Sequence, residues 1–92
     1  MKKLDCLKRF FSLNPHIFSQ IMEFLKDEFI IPESDIYNYK ISQNKPEFMY
    51  KLLESIEKKV QLISFTWSIL PSEYIIINIV TDKESKEFSY GN

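Results

Sequence analysis

Hydrophobic and polar positions change their period along this chain, and the changes mark its elements. Over residues 2–12, Leu4, Leu7 and Phe11 recur at helical spacing, while Lys2, Lys3, Lys8 and Arg9 lie mostly off that stripe. Asn14-Pro15 then predicts a helix start. Asn is a good N-cap, and proline fits the first helical position, where its missing N–H costs nothing. Leu13 before the cap and Phe18 at the fourth helical position make a hydrophobic staple. From there to about Phe29, Ile17, Phe18, Ile21, Met22, Leu25 and Phe29 span an arc of roughly 140° at about 100° per residue. Phe24 borders the arc and polar side chains fill the rest, so a second helix is expected to face the core with this stripe.

Ile31-Pro32-Glu33-Ser34 ends that helix, because proline drives the preceding residue out of helical conformation. Asp35 to Ser42 alternates, with Tyr37, Tyr39 and Ile41 on one face, and predicts a short strand, with a helical turn as the alternative. Asn44-Lys45-Pro46-Glu47 has the form of a capping box. A third helix is expected from about Pro46 to Val60, with Phe48, Met49, Leu52, Leu53, Ile56 and Val60 as its apolar face. From Gln61 the period falls to two, and Ile63, Phe65, Trp67 and Ile69 alternate with hydroxyl side chains in a strand reaching Leu70. Pro71-Ser72 reads as a turn, Glu73–Asp82 as a further strand and Glu87–Tyr90 as a last short one. The expected architecture is a single α+β domain over residues 1–92, in the order α-α-β-α-β-β-β. Three helices pack on one face of a small, mostly antiparallel sheet of three or four strands. Were the Asp35–Ser42 strand to lie beside Gln61–Leu70, the helix between them would form a right-handed parallel crossover.

Composition narrows the chemistry. The 92 residues include one Gly, one His, one Cys and no Ala. Phosphate-cradling loops need glycines, structural metal sites need several Cys or His, and nucleophilic triads need a partnered His. No such set assembles here, so no cofactor and no metal are expected. The lone Cys6 forms no internal disulfide, and no secretory leader pattern precedes it, which favours a cytoplasmic location. Charges interrupt the apolar run from Leu4 to Leu13, so no transmembrane segment is expected. A formal net charge of −1, with one Arg against 11 Lys, makes nucleic acid an unlikely ligand. Thirteen Ile beside many Lys and Asn suit an AT-rich gene, as in phage, horizontally acquired islands and AT-rich bacteria alike.

Few single residues carry chemistry. His16 sits in the first turn of the second helix with no carboxylate within one turn to orient it as a base. Cys6 lies near an apolar stripe, where an inert thiol is the default. Glu33, Asp35, Asp82, Glu84 and Glu87 match no calcium-loop spacing and read as solvated loop charge. Aromatic residues, at 15% of the chain, are the remaining signal. Tyr74, Ile76 and Val80 share one face of a strand whose other face carries Ile75, Ile77 and Ile79, so one row faces away from any single helix layer. The expected function is a non-catalytic protein-binding module whose contacts are Tyr37, Tyr39, Tyr50, Tyr74 and Ile76. In its most concrete form it is an inhibitor or immunity-type protein that blocks a toxin or defence enzyme. The alternatives are a nucleic-acid or membrane-surface module using the basic first helix, a small accessory homodimer of mobile-element origin, and a small enzyme using Cys6 or His16.

Overall fold

The computed structural model describes residues 3–68 and 71–91. Among these the chain forms four helices followed by three strands: α1 (Lys3–Leu13), α2 (His16–Asp27), α3 (Glu33–Ile41), α4 (Lys45–Ile56), β1 (Leu62–Ser68), β2 (Tyr74–Val80) and β3 (Ser85–Gly91). The sheet is an antiparallel meander in the order β1-β2-β3. This is an α+β fold with one helix more than expected, and the sheet contains no parallel crossover.

The expected strand at Asp35–Ser42 is instead α3. Its buried residues are Ile36 and Tyr39, one helical turn apart. Tyr37 and Ile41, which made the alternation, point outward. Pro32 sits extended just before the helix, and Glu33 and Asp35 occupy its first turn, where negative charge favours the helix dipole. Two buried positions three apart are a helical signal that the tyrosine alternation masked.

Helix ends also shift. Asn14 does not cap α2 through its side chain: Pro15 is itself helical, and the Asn14 carbonyl accepts from Ile17 N–H at 3.2 Å. Asn44 does cap α4, its Oδ1 accepting from Glu47 N–H at 3.3 Å. The Glu47 carboxylate returns to the Asn44 side-chain amide, which donates to it at 3.1 Å, rather than to the backbone. Helix α4 ends at Ile56, four residues before Val60. At the C-terminal end of α2, Phe29 N–H donates to Lys26 O and Ile30 N–H to Leu25 O, each at 2.9 Å. This Schellman arrangement stops the helix at Asp27.

One core joins the helices to one side of the sheet. Leu7, Phe10, Phe18, Ile21, Leu25 and Met49 meet Ile75, Ile77 and Ile79, all fully buried or nearly so. Phe24 packs edge-on against Phe88 of β3, with ring centroids 5.9 Å apart. Cross-strand pairing extends the inner layer through Phe65–Ile77–Phe88 and Trp67–Ile75–Tyr90. Burying a side chain of this size stabilises the fold by about 1.5–3 kcal/mol, so this layer dominates stability. Arg9 clamps α1 to the start of β2 through two hydrogen bonds to the Glu73 carboxylate, at 2.6 and 2.8 Å. Gly91, the single glycine, has φ of +80°, and a Cβ there would collide with the Glu73 carbonyl oxygen.

Candidate functional site

Opposite the helices lies the open face of the sheet. In a strand, successive side chains alternate between faces. The register therefore places Leu62, Val80 and Ser85 in one cross-strand row, and Ser64, Asn78 and Glu87 in the next. Thr66, Ile76 and Ser89 form a third row, and Ser68, Tyr74 and Gly91 the fourth. Leu62 is 53% exposed. Tyr74, Ile76 and Val80 are half-buried. The polar row of Ser64, Asn78 and Glu87 separates Leu62 and Val80 from Ile76 and Tyr74, and Ser85 Oγ donates to Asn78 Oδ1 at 3.1 Å. Across these 12 positions Glu87 is the one charged residue. A protein surface normally carries charge at roughly 25–35% of positions. Depletion of charge around aromatic and aliphatic side chains is the compositional mark of an interface core.

The five tyrosine and isoleucine candidates do not converge. Tyr74 and Ile76 stand on this open face two residues apart. Tyr37 stands alone on α3, 64% exposed. Tyr39 is a correction to the expected contact set: it is 4% exposed and belongs to the core. Its ring meets the edge of Phe48 at 6.0 Å, Lys45 Nζ sits 5.3 Å from its centroid, and burial pushes its hydroxyl pKa up. Tyr50 lines a separate cleft of about 240 Å³ between α1, α4 and β1. Leu7, Leu53 and Ile63 form its floor, and Lys3, Glu54 and Glu57 stand at its rim. Lys3 Nζ already occupies the rim, 3.6 Å from Glu57 and 5.6 Å from the Phe65 ring centroid.

The basic stripe of α1 is partly spent inside the fold. Arg9 is held by Glu73 and Lys3 faces Glu57, which leaves Lys8 exposed without a salt bridge among the described residues. Lys2 lies outside the described residues. Cys6 is buried and burial raises its thiol pKa, so the reactive thiolate form is disfavoured. His16 is exposed at the start of α2. No group of three or more His, Cys, Asp and Glu side chains converges among the described residues. No helix among them is long and apolar enough to cross a membrane.

Two exposed apolar residues escaped the pattern. Phe29 was expected on the core stripe of α2, yet it is 88% exposed. The helix ends two residues before it, and its φ of +57° turns it off the stripe. Leu62 begins β1 on the open face and carried no signal beyond its apolar character. Comparison with protein-family models, curated proteins and solved structures finds no match to this chain.

Proposed function

We propose that this chain is a non-catalytic module that binds another protein through the open face of its sheet. In its most concrete form it is a cytoplasmic inhibitor that blocks a toxin or defence enzyme. The observation that carries the reading is the charge-poor open face, on which two apolar pairs, Leu62 with Val80 and Tyr74 with Ile76, stand among Ser, Thr and Asn side chains. Tyr74 supplies a large rigid contact with few rotamers to freeze, and the neighbouring hydroxyls supply adaptable hydrogen bonds. The three-stranded sheet, backed by a close-packed core, presents these groups on a rigid surface, which limits the ordering cost of association.

The test uses the tagged full chain to capture partners from its source cell at moderate salt. Ile76→Ser and Tyr74→Ser together should abolish capture of the specific partner while the circular dichroism spectrum stays unchanged. Lys8→Glu should leave capture intact. Loss with Lys8→Glu, together with steep weakening in added salt, would overturn the reading in favour of a polyanion or anionic membrane surface. For the inhibitor form, co-expression with the captured protein should relieve its toxicity, and the double-serine variant should not.

A further inference from the structure

Three features of the cleft between α1, α4 and β1 point to one class of ligand. Its floor is apolar, since Leu7, Leu53 and Ile63 are buried core residues. Tyr50 of α4 and Phe65 of β1 wall it with half-buried rings. Its rim is acidic: Glu54 lies in the last turn of α4 and Glu57 at its C-cap. A helix dipole favours positive charge at that end. Against these two carboxylates the lining holds one cation, Lys3. Its Nζ is 3.6 Å from Glu57 Oε1 and 5.6 Å from the Phe65 ring centroid, within the reach of about 6 Å over which a ring face attracts a cation. The chain's own side chain thus places an ammonium between ring and carboxylate. Glu54 is left over. It accepts a hydrogen bond from the Tyr50 hydroxyl at 3.5 Å and makes no salt bridge among the described residues, although Lys58 lies one turn further on.

Size and charge together define the occupant. The cleft has a volume of about 240 Å³, and a cavity of about 150 Å³ holds a benzene molecule. A phenyl-sized body therefore fits, with space for a short arm. An anion would meet two carboxylates, and a neutral apolar molecule would leave Glu54 without a counter-charge. An ammonium on a short arm answers both the ring walls and the rim. Lys3 is no obstacle: its side chain is 50% exposed, and exposed ion pairs of this kind hold weakly. We propose that the cleft binds a small aralkyl amine, with its ring on Leu7, Leu53 and Ile63 and its ammonium between Glu54 and Glu57. Lys3 is then an internal competitor that the bound amine displaces into water. Phe65 lies on the helix side of the sheet, so the site is separate from the open face and stands or falls independently of the proposed function.

Nuclear magnetic resonance titration of the full chain with phenethylammonium tests this, with phenylpropionate as the probe of similar shape and opposite charge. The amine should shift the backbone amides of Leu7, Tyr50, Leu53, Ile63 and Phe65 saturably, with a dissociation constant on the order of 1 mM. The carboxylate should bind at least about tenfold more weakly. Glu54→Gln with Glu57→Gln should weaken amine binding about tenfold and remove the preference between the two probes. Both positions are exposed, so this variant keeps the core, and its amide spectrum reports the fold directly. Lys3→Gln removes the competing ammonium and should tighten amine binding about threefold. Ile76→Ser on the open face should leave the titration unchanged. Absence of saturable shifts in the cleft up to about 10 mM amine would overturn the proposal. So would equal binding of the two probes, indifference to the paired glutamine changes, or no tightening with Lys3→Gln.

Discussion

Arg9 and Glu73 are 64 residues apart in sequence, and their pairing is the longest-range polar link described in the fold. Both nitrogens of the Arg9 fork reach the two carboxylate oxygens, the geometry in which arginine outperforms lysine. The pairing holds the Glu73 carboxyl below its ordinary pKa, chiefly through the Arg9 hydrogen bonds. The buried Trp67 N–H lies close enough to favour the ionised form but makes no well-formed hydrogen bond. A carboxyl with a depressed folded-state pKa stabilises the fold above its unfolded pKa of about 4.3 and loses that contribution as pH falls through the folded value. Glu73→Gln should therefore lower the thermal midpoint modestly at pH 7. The gap to wild type should close progressively as unfolding is followed into acid. A gap that stays constant to the lowest pH at which the chain folds would show that the ionised Glu73 contributes no stability through Arg9.

At the scale of elements, legibility in the sequence followed the size of the apolar stripe. α2 shows six buried residues over 12, and its period is plain from the residues alone. α3 buries two over nine, fewer than the three alternating residues Tyr37, Tyr39 and Ile41 that suggested a strand. A helix this short takes little of its stability from its own propensity and most from its neighbours, so the information that makes it a helix lies in α2 and α4. Alternation put Tyr74 and Ile76 on one face together, while the packing of the helices on the other row decided that this face is the open one. The solvent side of Phe29 was not legible, because it depends on where a helix stops, which a hydrogen-bond motif decides. Caps show the same division. Asn44 was readable from Asn44-Lys45-Pro46-Glu47 and does cap α4, whereas Asn14-Pro15 carries a similar signal and makes no side-chain cap. The two asparagines make a matched experiment. Asn44→Ala should cost about 1 kcal/mol in chemical denaturation, the usual value of an N-cap. Asn14→Ala should cost measurably less, and equal losses would contradict the difference in capping.

For the molecule as a whole, the consequence of two layers is asymmetry. The strand Tyr74–Val80 is nearly all apolar, the composition usual in strands buried on both faces. Its two rows have different fates: Ile75, Ile77 and Ile79 are fully buried against the helices, while Tyr74, Ile76 and Val80 remain half-covered on the open side. Stability has no need of the second row to be apolar, since a half-solvated antiparallel face is usually polar. The comparison of Ile77→Thr with Ile76→Thr isolates this. Threonine keeps the β-branch and the strand preference, so the backbone term cancels between the two variants. In Ile77→Thr a hydroxyl enters a dry layer beside Phe65 and Phe88, and it loses packing volume while burying a polar group. That change should cost about 2–4 kcal/mol in urea unfolding, with little change in m-value. Ile76→Thr joins Thr66 and Ser89 in its own cross-strand row and should cost less than about 1 kcal/mol. Ile76 would then be a residue whose apolar side chain the fold can spare, and its contribution has to be sought in what the open face touches. Equal losses at the two positions would mean that the open face is itself part of the folding core, and the patch would lose its standing as a free surface.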